Sequence, residues 1–158
     1  MSKWVKGGMA LEWIKQRAAA ARHDSRNERW QLQKERVIES HSQEFFEELT
    51  ALMERSVAAF NKEFEGAPRA GVALERRLNR FVLRHATPLA TTVDCRLDYA
   101  AHSIRYRIER ASMHGKQTFT QENELKFDLA SEKKIQLLTL EQIPLSMEQT
   151  TQQLLEPF

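Results

Sequence analysis

One cysteine, Cys95, stands in a chain of 158 residues. An internal disulfide is therefore excluded, as is any zinc site built on several thiolates. The five histidines are His23, His41, His85, His102 and His114, and no two stand three or four apart, so no helix presents a ready metal pair. No apolar run approaches the ~18 residues needed to span a membrane as a helix. The first nine residues hold Trp4, Val5 and a Gly7-Gly8 pair but no apolar core of a secretory signal, which makes the cytoplasm the expected location. The motifs GxSxG, HExxH and CxxC are missing. Gly7-Gly8 lacks the preceding strand and the spacing of a phosphate loop. The sequence thus offers no catalytic residue, metal ligand or cofactor motif, and leans away from an enzyme.

Charge is present but balanced, at a net +2. Its distribution is uneven. Residues 1–36 carry nine Lys/Arg against four Asp/Glu, and residues 37–65 carry two against seven. Residues 66–110 carry nine against four, and residues 111–158 four against seven. Alternating blocks suit pairing within or between subunits better than a polyanion, which favours one contiguous basic footprint. Nucleic acid is a possible partner but is not favoured.

The apolar pattern in the first half has a helical period. Met9, Trp13, Ile14, Ala18, Ala20 and Ala21 recur at spacings of three, four and seven, so residues 9–23 read as a helix. Ser25 and Glu28 have the spacing of a capping box, which suggests a break there, with a continuous helix as the alternative. A second helix is expected over 26–64, ended by Gly66 and Pro68. At ~1.5 Å per residue it would be ~58 Å long, more than a small sheet covers. Its stripe Ile38, Phe45, Leu49, Leu52 and Phe60 is therefore the expected self-association contact, with a homodimer as the favoured partner state. Ser42, Ser56 and Glu63 interrupt the heptad, so a helical bundle is favoured over a coiled coil. The N-terminal segment is basic and amphipathic. Its small apolar set favours docking on the long helix or another subunit over a membrane surface.

Leu74, Leu78 and Phe81 have helical spacing, which reads as a helix over 72–83. After Pro88 the period drops to two. Val93, Cys95, Leu97 and Tyr99 form one inward set, and Ile104, Tyr106 and Ile108 another. Further strands are expected over about 117–129, with Phe119, Leu125, Phe127 and Leu129 on one face, and over about 133–140, with Ile135 and Leu137 inward. Ser146 and Gln149 have capping-box spacing and open a short terminal helix. The expected fold is α+β: long N-terminal helices, a four-stranded antiparallel meander and a short C-terminal helix. A helical region 1–65 and an α+β domain 72–158 would form one cooperative unit.

Two single residues or groups stand out. Cys95 shares the inward parity of Val93 and Leu97, which marks it as a buried structural thiol. Arg96, Arg105 and Arg107 fall on the outward face of the first hairpin. A four-residue connection pairs Arg96 with Arg107, and a two-residue turn pairs it with Arg105. A six-residue connection places it opposite Glu109. Two alanines suit a two-residue turn poorly, which favours the first register. Like charges directly opposite destabilise a sheet. The arginine group is thus either neutralised by diagonal carboxylates such as Asp94 and Asp98, or an anion-binding surface. A small-molecule pocket between sheet and helix is the third reading.

Overall fold

The computed structural model describes residues 2–66, 71–85, 91–111, 118–131 and 134–158, with side chains from residue 11 onward. The chain divides into two units, residues 1–36 and residues 37–158.

Helix α1 spans Ser2–Glu63 without interruption. The break considered at Ser25 does not occur, because no residue from 9 to 65 is a glycine or proline and nothing else removes a backbone donor. Gly66 at φ 86° takes the left-handed conformation that ends the segment. In the first unit the described side chains are almost all exposed, including Leu11, Trp13, Ile14, Trp30 and Leu32. Arg17 lies over the Trp13 ring, 5.3 Å from its centroid.

The second unit holds the core. Seven strands follow in chain order: β1 (Val72–Arg77), β2 (Arg80–His85), β3 (Thr91–Asp98), β4 (Ser103–Ala111), β5 (Thr118–Ser131), β6 (Lys134–Leu138) and β7 (Pro144–Leu145). They form one antiparallel sheet in that same order, a meander. The sheet therefore has seven strands and not four. Three were missed. The segment read as a helix over 72–83 is the β1–β2 hairpin, with Arg77 opposite Arg80. Leu78 and Asn79 form its turn, Asn79 at φ 56° and Leu78 86% exposed. Asparagine tolerates the left-handed region, so the turn needed no glycine to mark it. β7 has only two residues, too short for any alternation to show.

The β3–β4 register is the one a two-residue turn produces, with Arg96 opposite Arg105 and Asp98 opposite Ser103. The favoured pairing of Arg96 with Arg107 is thus corrected. His102 at φ 49° carries the left-handed strain of the turn, so neither alanine has to. Tyr99 consequently lies in the turn, half exposed, and not on the inner face. Phe119, on the inner parity of β5, is exposed, because β5 outruns the helices that cover the sheet near Leu125 and Phe127. His114 lies outside the described residues.

Residues 37–63 of α1 lie in the curl of the sheet. On one flank Gln43 donates to the Asn79 side chain at 2.6 Å, and Glu54 meets Arg76 at 3.3 Å. Asn61 both accepts from Val72 N–H and donates to Val72 C=O, each at 2.8 Å, and so caps the free edge of β1. On the other flank Phe45 stands edge-on to Phe127 of β5, with ring centroids 5.4 Å apart. Between the flanks Ile38, Phe46, Leu49, Met53 and Val57 are buried against Phe81, Leu83, Val93, Cys95 and Ile104. Six inter-strand spacings of ~4.8 Å make ~29 Å, which matches the ~29 Å of helix from Ile38 to Val57. Four strands would have left part of that stripe bare, and seven cover it.

The terminal helix α2 (Met147–Leu155) begins with the expected capping box: Gln149 N–H donates to Ser146 Oγ, and Ser146 N–H donates to the Gln149 side chain. Leu154 is fully buried, and Gln153 donates to the Tyr106 hydroxyl. α2 thus shares the inner sheet face with α1. Phe158 closes that end, edge-on to His85 at 5.0 Å.

Candidate functional site

Two surfaces remain after the core is assembled: the outer face of the sheet and the helical surface of α1. The outer face is built by the strand registers. Arg77 opposes Arg80, Arg80 opposes Arg96, Arg96 opposes Arg105, and Arg105 opposes Glu124. Four arginines therefore stand in one row across four strands, two more than a lone β3–β4 hairpin supplies, both on the β1–β2 side of the Arg96 and Arg105 pair. The sequence adds Arg76, Arg77 and Arg80 to the candidate anion surface only as residues of a helix, and it is the strand register that puts Arg77 and Arg80 in this row. The signal that could have found it is Leu78-Asn79 between Arg77 and Arg80, a turn-forming asparagine flanked by equal charges.

The row is relieved by carboxylates on the neighbouring rows. Arg80 makes two bonds to Asp94, at 2.8 and 2.6 Å, and this pairing raises the pKa of its guanidinium further. Arg77 grips Glu75 at 2.8 Å, which holds the Glu75 carboxyl below its ordinary value. Arg105 Nε sits 3.2 Å from Asp98 and 3.3 Å from Glu124. Arg107 is bound by Glu122 at 2.6 Å, with Glu109 at 3.5 Å, and its pKa too is raised, first by the Glu122 hydrogen bond. Of the three arginines expected to bind an anion, Arg105 and Arg107 are already engaged by this chain. Arg96 is exposed and has no ion pair or hydrogen bond among the described residues. It lines a depression of about 650 Å³ together with Arg80, Asp94, Arg105, Arg107 and Glu122. Opposite signs alternate along its wall, so its field is weak and its one free donor fork is Arg96.

The residues expected to associate lie in or beside the core. Ile38 and Leu49 are buried, and Phe45 and Phe60 pack against the core cluster. Leu52 is half-buried. A side chain already covered by its own sheet has little surface left for a second subunit. The uncovered apolar surface is further along the same helix: Leu11, Trp13, Ile14, Trp30 and Leu32 are each more than half exposed. At 3.6 residues per turn Leu11, Ile14, Ala18, Ala21 and Leu32 fall on one stripe.

Among the described residues no reactive constellation accompanies these surfaces. Cys95 is fully buried beneath α1, and burial pushes its thiol pKa up, far from a nucleophile's range. His85 Nδ1 accepts from Thr91 N–H at 3.2 Å, and His102 Nε2 lies 3.9 Å from Glu39. Both are occupied with local structure. Among the described residues no group of three or more His, Cys, Asp or Glu is placed to hold a metal ion. No described helix is long and apolar enough to cross a membrane. A second depression of about 720 Å³, between α1 and the β5–β7 edge, brings His41, Glu44, Glu48 and Lys134 to its rim without bonding them to one another. No protein-family model, curated protein or solved structure matches this chain.

Proposed function

We propose that the chain is a non-enzymatic assembly module that forms homodimers through α1. The observation that carries this reading is the exposed apolar stripe of residues 11–32, on a helix whose other half is already covered by its own sheet. A solitary helix in water is marginal, because helical stability in proteins comes mainly from packing an amphipathic face. The three large side chains of that stripe, Leu11, Ile14 and Leu32, each more than half exposed, represent roughly 2.5–5 kcal/mol of apolar burial at ~1.5–3 kcal/mol for each full burial. A micromolar complex needs about 8 kcal/mol after the cost of lost freedom. One such arm is therefore too little, and two arms used reciprocally are of the right order, which favours a symmetric dimer. The test is the mass of the full chain in solution with Leu11→Asp/Ile14→Asp as control. A dimer that the double substitution dissociates supports the reading, and a wild-type monomer at micromolar concentration removes it.

The second reading is an anion-binding sheet face centred on Arg96, supported by its unengaged guanidinium between Arg80 and Arg105. It requires saturable binding of inorganic phosphate or a short oligonucleotide at low salt, lost in Arg96→Ala and weakened by added salt. Equal binding by wild type and Arg96→Ala counts against it.

A further inference from the structure

Half of β5 carries an open edge, and the strand registers say which backbone groups it presents. β5 has 14 residues and β6 five, and β6 pairs with β5 only from Lys126 onward. On its other side β5 pairs with β4 continuously from Thr118 to Lys126. Phe127 N–H donates to His102 C=O at 2.9 Å, toward the β4 side. In an antiparallel ladder alternate residues send both backbone groups to the same neighbour. Phe119, Gln121, Asn123 and Leu125 therefore bond β4, while Thr118, Thr120, Glu122 and Glu124 point away from it. After Leu138 the chain turns back on itself, with Thr139 N–H donating to Ile143 C=O at 3.0 Å. Since Leu138 stands opposite Lys126, Leu140 falls level with Glu124, and the clear stretch is residues 118–122. Among the described residues no backbone hydrogen bond reaches the outward groups of Thr118, Thr120 and Glu122.

Unpaired edges recruit other strands, and proteins usually blunt them. This sheet does so at both of its ends: Asn61 caps β1 at Val72, and β7 has only two residues. Thr118-Phe119-Thr120-Gln121-Glu122 has no lysine, proline, glycine or register shift. Threonine and phenylalanine favour strands. Phe119 is 63% exposed although it stands on the inner parity.

The occupant that fits this edge is the same edge of a second copy. A two-fold axis at Thr120 sets the two edges antiparallel. Thr118 then faces the second copy's Glu122, Thr120 its Thr120, and Phe119 its Gln121. The outward groups of Thr118, Thr120 and Glu122 meet their counterparts in about six backbone hydrogen bonds. The two Phe119 rings become diagonal neighbours, within reach of each other on the inner face. The Glu122 carboxylate, held by Arg107 at 2.6 Å, faces a threonine hydroxyl that can donate to it. Other axes fit less well. An axis at Glu122 sets glutamate opposite glutamate, and one at Asn123 sets Glu122 opposite Glu124, both destabilising. An axis at Gln121 runs the second strand against Leu140.

Resting on the dimer reading, we propose that the β5 edges of the two copies pair antiparallel over residues 118–122, joining two seven-stranded sheets into one. So short a pairing is marginal by itself in water. Two chains already joined by their arms make it intramolecular, at a raised effective concentration. The contact is isologous and uses up the edge, so it closes at two chains.

The test is residue-resolved hydrogen exchange on the full chain at concentrations where it is a dimer, against the Leu11→Asp/Ile14→Asp monomer. The amides of Thr118, Thr120 and Glu122 should exchange on the order of tenfold or more slower in the dimer. Those of Phe119 and Gln121, which bond β4, should not change. Thr120→Pro removes only an outward N–H, and an edge strand accepts proline there. Its urea midpoint should stay near wild type while its dimer Kd rises on the order of tenfold. Should that variant fold poorly, the exchange comparison reads the same contact without altering the strand. A wild-type dimer whose Thr118, Thr120 and Glu122 amides exchange as fast as in the monomer overturns the edge pairing and leaves the arm contact standing. A folded Thr120→Pro with wild-type Kd overturns it as well. A wild-type monomer at micromolar concentration overturns both readings.

Discussion

Replacing Leu49 by alanine separates the core of this protein from its proposed interface. Leu49 sits in the middle of α1's sheet-facing stripe and is fully buried. The substitution removes three carbon groups, worth about 2.4 kcal/mol at ~0.8 kcal/mol each. The space left behind adds up to about 2 kcal/mol at ~24 cal/mol per Å³ if the helix and sheet do not collapse into it. Neighbours Phe81 and Leu83 come from a paired strand, which limits that collapse. The expected destabilisation is therefore about 2.5–4.5 kcal/mol. The assay is equilibrium urea denaturation followed by far-ultraviolet circular dichroism. Tryptophan fluorescence is the wrong probe for this core, because Trp4, Trp13 and Trp30 all precede residue 37. Those tryptophans report on the arm, and their emission should still shift with protein concentration in Leu49→Ala as it does in wild type. An unchanged urea midpoint, or loss of association with no loss of stability, would refute the placement of Leu49 in the core and restore it to an intersubunit contact.

Three further outcomes follow from particular contacts. Asn61→Ala leaves both the N–H and the C=O of Val72 without their side-chain partner, so stability should drop by about 1–3 kcal/mol. Hydrogen exchange at the Val72 amide should quicken, and an unchanged exchange rate would show that β1 is held some other way. Ser146→Ala removes the reciprocal cap of α2 and should cost about 1 kcal/mol in the same urea assay, with Ser146→Asp retaining most of it. The third concerns pH. Burial raises the Cys95 thiol pKa in the folded state, so the folded chain holds that proton more firmly than the unfolded chain. The stability this contributes is complete below the unfolded value of ~8.5 and is lost as pH rises above it, at about 1.4 kcal/mol per pH unit. Cys95→Ala should flatten that slope between pH 8 and 10, and an equal slope in both proteins contradicts the assignment.

Elements with a clean period could be read from the chain itself. β3, β4, β6 and the α2 cap lie where alternation and capping-box spacing placed them, because each is half-buried and its pattern is set by one wet and one dry face. The β1–β2 hairpin could not be read in this way. Leu74, Leu78 and Phe81 match a helical face as well as a strand one, and only tertiary pairing decides between them. That one misreading spread. Without β1 and β2 the sheet looked too small to cover α1, and the core residues Ile38 and Leu49 were assigned to a partner subunit. It also hid the alignment of Arg77 and Arg80, half of the arginine row, with Arg96 and Arg105. The charge blocks survived the correction better than the residue assignments, since block charge does not depend on which face a single side chain takes. What the sequence could not supply is the partition of the apolar stripe between sheet and solvent, which depends on strand count.

The central claim is that α1 does two jobs, its second half serving as the sheet's own core and its first half holding two chains together. Sedimentation equilibrium of the intact chain at micromolar concentration tests this most directly. The expected mass is twice the 18.4 kDa of one chain, reduced to a single chain's mass by Leu11→Asp/Ile14→Asp with the second unit still folded. A mass of 18.4 kDa for the wild-type protein across that range would contradict it.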